Sequence, residues 1–425
     1  MEFSTDRFYA EALDAVDPLK TFRHRFTIPD PSMIYMDGNS LGRLPSAAIT
    51  SLDEEIRYRW ADRLIRSWNE SWYSKSLDLG DRIGELLGAE PGEVIISDST
   101  SVNLYKLAWA AIHYQAGKNN ILTDDLNFPS DLYILEGLTS QNPPWKVSLA
   151  KSADGLTVCM NELEDAFDDG TGLVCLSHVA YKSSFKYDMT EVTRLAHKKD
   201  TLILWDLSHS AGVVPIDLKA SQVDMAIGCT YKYLNAGPGA PAFLYIRKDL
   251  QEQLQNPVQG WFGARDPFAF STTYSPAKGL RKFLTGTPPI LSMSAMEEAL
   301  SMIRKAGIDN IRKKSEAQSE YMVSLVERWL VPLGCRLGSP QEVSKRGSHI
   351  SITHNEAYRI NQAMILPPEG MPVIIPDFRE PDNIRLGIAP LYTSYQEIFD
   401  TIGRIRDIIS QKSYLDYSND RKGVT

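Results

Sequence analysis

TLILWDLSHSAGVVPIDL, residues 201–218, and AIGCTYKYLNAGPGAPAFLYI, residues 226–246, decide how this chain folds. Each carries short apolar runs that stop at polar or small residues, the pattern of strands buried on both faces rather than of amphipathic helices. Working outward, five further segments repeat the pattern or pair with it: EVIIS (93–97), NILT (120–123), KVSLA (146–150), LVCLS (173–177) and DMAIG (224–228), with TLILW and PAFLYI making seven in all. Helical patterns lie between several of them, in SVNLYKLAWAAIHY (101–114), NELEDAF (161–167) and MTEVTRLAHKK (189–199). Strands alternating with helices predict an α/β large domain, its mainly parallel seven-stranded sheet covered on both faces. Ligands of such sheets bind beyond the carboxyl ends of the strands.

Upstream, PSAAITSLDEEIRYRWADRLIRSW (45–68) has apolar residues at helical spacing and reads as one long helix with Ser46 as its cap. Downstream, SMSAMEEALSMIRKAG (292–307) and 316–330 read as helices. The strands CRLGS, HISITH and PVIIP follow, and the helix YQEIFDTIGRIRDII (395–409) closes a smaller α+β domain. The expected organisation is residues 1–45 packing with the small domain, 46–305 as the large domain and 306–425 as the small one.

With 43% hydrophobic and 23% charged residues among 425, the composition is that of a soluble globular enzyme able to bury its own core. Subtracting 54 acidic from 45 basic residues leaves −9, and no Lys/Arg run is long enough to track a phosphate backbone, so nucleic acid is not an expected partner. No apolar run approaches a membrane span, and MEFSTDRFYAEALDAVDPL (1–19) lacks the basic and apolar parts of a secretory leader. The expectation is a cytoplasmic protein that engages no membrane. Cys159, Cys175, Cys229 and Cys335 form no CxxC pair and read as buried thiols of a reducing compartment; no metal site is expected.

The chemistry concentrates in the two opening segments. Asp206 and His209 follow one strand and Lys232 follows the next, flanked by Tyr231, Tyr233 and a Gly/Pro-rich loop. A lysine held among aromatic and small residues is in the setting that favours the neutral amine, which condenses with an aldehyde. An aspartate near it could pair with a protonated pyridine nitrogen, and SDSTSVNL puts Thr100 and Ser101 at a strand-to-helix junction whose free amides favour an anion. Phe128, in NFPSDLY, could stack on a ring. Aldehyde, pyridine and phosphate together are pyridoxal 5'-phosphate (PLP). Read singly, the same residues are a solvated loop lysine, a turn-capping aspartate, a core histidine and an ordinary helix cap.

Seven segments, YMDGNSLGRLP, DSTSVNLYK, NFPSDLYI, WDLSHSAG, GCTYKYLNAGPGAPAF, GWFG and DFREPDNIRLGIAPLY, occur in the order in which they stand in kynureninases, and the chain resembles that family from about residue 30 to 405. The resemblance implies the PLP-dependent transferase-like fold of fold type I. It implies hydrolysis of L-kynurenine to anthranilate and L-alanine, in tryptophan catabolism and NAD biosynthesis, by a homodimer with shared active sites. It implies Lys232 as the Schiff-base lysine, Asp206 at the pyridine nitrogen, His209 beside the cofactor, Phe128 stacked on it and Asp131 in the same loop. Thr100, Ser101, Ser177 and Tyr231 resemble ligands from the near subunit, Tyr231 also a proton relay; Trp261 and Thr287 resemble those supplied by the partner. Arg385 resembles the arginine that takes the α-carboxylate, a task suited to a planar bidentate donor. Asn39, Ser40 and Trp72 resemble residues near the substrate.

After LSHV the chain reads Ala180, Tyr181, Lys182, Ser183 and Ser184 where bacterial members usually read Asn-Tyr-Arg-Thr-Gly, sharing only the tyrosine, and it departs again at Ala264, where His is typical, and at Pro376, where Gly is common. These positions flank the expected pocket, which leaves room for a lyase, transaminase or hydrolase acting on another β-acyl amino acid. A PLP-binding regulator without turnover is the remaining alternative, and neither terminus has the room for a basic DNA-binding module.

Overall fold

The computed structural model describes residues 3–421; Met1, Glu2 and residues 422–425, which belong to the expected outer segments, lie outside it. A two-residue strand, β1 (Ile34–Tyr35), precedes the seven expected strands, all of which form: β2 (Val94–Ile96), β3 (Asn120–Asp124), β4 (Lys146–Ala150), β5 (Thr171–Ser177), β6 (Leu202–Asp206), β7 (Met225–Gly228) and β8 (Phe243–Ile246). They make one sheet in the order β2-β8-β7-β6-β5-β3-β4, parallel except at β8, which runs antiparallel to both neighbours. The fully buried strands show why apolar runs without alternation were informative. Along β5 and β6, Val174, Leu176, Ile203 and Trp205 enter the core on one face, while Leu173, Cys175, Leu202 and Leu204 enter the core on the other.

The order places a topological switch between β3 and β5, since the chain leaves β3 for β4 on one side and returns to β5 on the other. The crevice beyond their carboxyl ends is where this architecture binds ligands. A third core joins Ala10, Ile34 and Met36 to Tyr321, Ile352, Ile384 and Ile402. It lies under a four-stranded antiparallel sheet, β12-β13-β10-β9, built from β9 (Arg336–Leu337), β10 (His349–Thr353), β12 (Asp377–Arg379) and β13 (Asn383–Gly387). The strand between them, β11 (Ile374–Ile375), pairs in parallel with β1 instead, so the PVIIP segment serves the amino-terminal segment and not the small sheet.

Four expectations change. The helix expected over 45–68 is broken: Ser46–Glu54 is α-helical, 55–63 winds as wider π turns, and Leu64 adopts a φ of 51°. The cause is Glu55, a buried carboxylate that accepts hydrogen bonds from Trp72 Nε1 (2.5 Å), Ser294 Oγ (2.7 Å) and Lys75 Nζ (3.2 Å), drawing the chain back on itself. Ser46 does not cap the helix; Pro45 occupies the cap position and Ser46 Oγ lies 3.1 Å from Thr27 Oγ1. The helix expected at 316 begins earlier, as Ile308–Leu325. All four cysteines are free, but Cys159 is exposed at the start of the helix Met160–Asp165 rather than buried. Among the described residues no helix is long and apolar enough to cross a membrane and no cluster suited to a metal ion occurs.

Candidate active site

Parallel pairing sets Ser177 and Asp206 side by side at the ends of β5 and β6. Asp206 is held by its own turn, accepting from Ser208 N at 2.8 Å. Lys232 follows β7, and its Nζ reaches His209 Nε2 at 3.3 Å and Nδ1 at 3.5 Å, with the Phe128 ring centroid 5.9 Å away. The loop carrying Lys232 is fixed from the amino-terminal segment: Gly42 N donates to Tyr231 O at 2.8 Å, and a Cβ at Gly42 would stand 2.4 Å from Lys232 O. Only glycine permits that approach, which explains the last glycine of GNSLG.

Buried charge dominates the electrostatics. Burial pushes the Asp131 carboxyl well above the ordinary carboxylate range; neighbouring Asp206 raises it further and Lys232 opposes both. Its Oδ2 is buried without a hydrogen-bond partner. His209 is driven well below its usual range by burial and by Lys232, so it is a neutral ring beside the amine. Burial raises Tyr231, with Cys229 contributing, and the phenol keeps its proton at neutral pH.

A cavity of about 440 Å³ opens at the amino-terminal end of the helix Thr100–Tyr114, lined by Ser99, Thr100, Ser101, Tyr231, Gly239 and Thr287. Thr287 therefore stands in the same cavity as Thr100, Ser101 and Tyr231 of its own chain. A second cavity, of about 690 Å³, contains Asp37, Ser40, Phe128, Tyr181, Asp377 and Arg379. Behind the lining residues Ser40, Tyr181 and Asp377, Arg385 Nη1 donates to Tyr181 O (2.6 Å), Nη2 to Ser40 Oγ (2.7 Å) and to Asp377 Oδ2, and Nε to the Asn39 side-chain oxygen (2.8 Å). Trp72 and Trp261 have their contacts elsewhere. Trp72 packs on Trp68 (5.4 Å) beside Pro288 and Leu291, and Trp261 is 40% exposed among Phe262, Phe268 and Phe270.

Several residues of this site escaped the sequence reading. Asn127 Oδ1 accepts from both Ser177 Oγ (2.5 Å) and Phe128 N (2.9 Å), tying the ends of β3 and β5 together at the switch point. Its position beside Phe128 was the available signal. His349, likewise not singled out, lies 5.7 Å from His209, and Tyr181, named only within the stretch after LSHV, packs edge-on to Phe128 at 5.2 Å. Asp37 and Asp377 flank Arg385 and sit inside quoted motifs without having been singled out.

Solved structures with this architecture include a cysteine desulfurase from Thermococcus onnurineus NA1 (TM-score 0.77, 18% identity, 94% of this chain and 98% of that one). A C-DES mutant with glycine covalently linked to its PLP cofactor matches with a TM-score of 0.79 at 19% identity, over 91% of this chain and 99% of that one. At such identities the likeness establishes the PLP fold type I architecture. The family model described as the kynureninase C-terminal domain matches residues 311–405. A kynureninase from Pseudomonas fluorescens is 40% identical over 409 residues, 95% of each chain, and one from Burkholderia pseudomallei is 39% identical over 411 residues, 95% of this chain and 96% of that one. Near-complete alignment at that identity, on a chain whose strand ends gather Lys232, Asp206 and Phe128 at the switch point, means that the chain belongs to the kynureninase family.

Proposed function

We propose that this enzyme hydrolyses the Cβ–Cγ bond of L-kynurenine to give anthranilate and L-alanine with PLP as cofactor. The observation that carries the reading is the alignment with kynureninases over 95% of the chain. The residues fit the cofactor. A lysine amine stands over an aromatic face, two buried carboxyls include one oxygen with no partner, and a helix amino terminus with Thr100 and Ser101 suits a phosphate. Bound there, PLP supplies an aldehyde and an electron-withdrawing pyridine that stabilises negative charge on substrate carbon.

The chain's own groups then divide the work. Lys232 holds the cofactor and moves the proton at the substrate α-carbon; Asp206 keeps the pyridine nitrogen protonated, with Asp131 beside it; Phe128 sets the ring plane and Ser177 borders it. Neutral His209 presents a ring nitrogen to Lys232 without adding a competing positive charge. Tyr231, whose phenol stays protonated, is the proton relay near the phosphate. Arg385 takes the α-carboxylate, supported by Asn39 and Ser40. Purified enzyme with PLP should release anthranilate fluorescence from L-kynurenine. No fluorescence, with a cofactor absorption shift on another amino acid, would favour a different β-acyl substrate. A desulfurase reaction has little support: Cys335 is buried and its thiol is pushed up to about 11.

The small-domain assignment, with 1–45 packed against 306–425 and 46–305 forming the large domain, belongs to the same reading; the shared core of Ala10, Ile34 and Ile402 supports it. So does a homodimer with shared sites, in which Trp261 and Thr287 are supplied to the partner's pocket, Thr287 from a position that also borders the cavity at Thr100 of its own chain. Trp60, Ile65, Trp261 and Phe270 are large apolar side chains that stand 40% to 76% exposed, a surface that suits burial against a second copy. Mixing Trp261→Ala with Lys232→Ala under subunit exchange should restore about a quarter of wild-type activity, since half the dimers would be mixed and each would hold one intact site. No recovery would place Trp261 in its own subunit's site.

Thr287 bears on substrate choice. Its short side chain reaches less far than Asn toward a ring hydroxyl, and a site without that partner must desolvate the hydroxyl for little return. Kynurenine should therefore show a higher kcat/KM than 3-hydroxykynurenine, and Thr287→Asn should shift the ratio toward the hydroxylated substrate by about tenfold. A wild-type preference for 3-hydroxykynurenine would defeat the argument.

A further inference from the structure

Two short strands bring a second carboxyl to Arg385. β1 and β11 pair in parallel with Ile34 opposite Ile374 and Tyr35 opposite Ile375; continued two residues, that register sets Asp37 beside Asp377. Asp37 also bridges Gly387, two residues beyond Arg385, and Asp377 lies directly across β12 and β13 from Arg385. The guanidinium thus has a carboxyl on each of two neighbouring extended segments. Asp377 is committed, accepting from Arg385 Nη2 and from Arg379 Nε (2.9 Å). Asp37 is different: its Oδ1 is buried and, among the described residues, has no hydrogen-bond partner, although the side chain lines the 690 Å³ cavity.

We propose that Asp37 is a positioning residue that sets the charge of the Arg385 site by gaining or losing a proton, the protonated form being the one that accepts the substrate carboxylate. The inference rests on the reading that Arg385 takes that carboxylate. With Asp37 neutral, Arg385 and Arg379 face a single fixed carboxylate, Asp377, and one positive charge is left over for an incoming anion. With Asp37 ionised, the four groups cancel and a substrate carboxylate enters a buried site with no net attraction.

The groups around Asp37 leave it as the one poised to change near neutral pH. Burial, with Asp377 adding to it, raises its carboxyl to about 6, against the pull of Ser40, Arg385 and Arg379. Tyr35 on the same segment and Tyr233 on the Lys232 loop also face it, and burial raises both phenols so that they stay neutral. Burial, with Arg385 and Lys232 adding to it, holds His209 and His349 well below their usual range, so neither adds charge.

Binding of L-alanine and of L-alaninamide to the PLP-loaded enzyme, followed by the cofactor absorption band between pH 5 and 7.5, tests this. The ratio of the two Kd values cancels any titration that affects both ligands and isolates the carboxylate. In the wild type the ratio should rise about tenfold across that range, with a midpoint near 6, because an ionised Asp37 disfavours a second anion. In Asp37→Asn it should stay flat at the low-pH value. A flat wild-type ratio overturns the proposal without need of a variant, as does an Asp37→Asn enzyme that keeps the wild-type slope. Arg385→Lys separates this from the underlying reading. If it weakens alanine more than alaninamide, Arg385 is the carboxylate anchor and the pH profiles judge Asp37 alone. If it weakens both equally, Arg385 is not the anchor and the proposal falls with it.

Discussion

Replacing Lys232 by alanine is expected to lower kcat for anthranilate release by at least about 10⁴-fold while leaving the fold intact. General acid–base groups each contribute about 10²- to 10⁴-fold, and this lysine is asked both to hold the cofactor and to move the α-proton. The placement of Nζ supports both tasks, 3.3 Å from a neutral imidazole and 5.9 Å from the Phe128 centroid. The fold should be insensitive, since the hydrogen bonds named for Nζ are long contacts to His209, and the carbonyl of residue 232 still takes the turn from Asn235 N at 2.9 Å. Circular dichroism should therefore match the wild type while turnover disappears. Residual kcat within about a hundredfold of wild type would mean that another base does the work.

The ends of β6 and β7 were legible because everything needed to read them is local. An apolar run buried on both faces announces a strand, and the first polar residues after it must lie at the strand's carboxyl end, where Asp206 and His209 stand. The break after Glu54 was not legible, because the groups that satisfy Glu55 arrive from Trp72, Lys75 and Ser294, beyond the helix being read. Local periodicity has no access to a buried carboxylate's partners. The same limit hid the surroundings of Arg385. Motif order pointed to the arginine and PVIIP read as a strand, but β1 is two residues, too short for any pattern, and only its pairing with β11 brings Asp37 to the arginine. Asn127 illustrates the intermediate case, since its neighbour Phe128 was visible but its bond to Ser177 depends on β3 and β5 being adjacent.

Arg385→Gln is expected to lower kcat/KM by about 10²- to 10³-fold, mainly through KM, because removing one partner from a desolvated, hydrogen-bonded charge pair costs about 2–5 kcal/mol. The same change should destabilise the protein by about 3 kcal/mol, since it strips the counter-charge from the buried Asp377 carboxyl. Arg385 is 1% exposed and spends its donors on Asn39, Ser40, Tyr181 O and Asp377, so glutamine can replace only part of the set. The pH dependence has a definite sign. Asp37 has a folded-state value of about 6 against an ordinary 3.8, so the native state binds its proton more tightly than the unfolded chain does. Its contribution to stability is fully present below about 4 and is lost as pH rises through 6. Arg385 holds that value down, and without it the carboxyl moves further up and the loss at neutral pH grows. Thermal unfolding should show a larger gap between wild type and Arg385→Gln at pH 8 than at pH 5, and adding Asp377→Asn should narrow the gap at pH 8. Equal gaps at the two pH values, together with an unchanged KM, would mean that the guanidinium neither balances these carboxyls nor anchors the substrate.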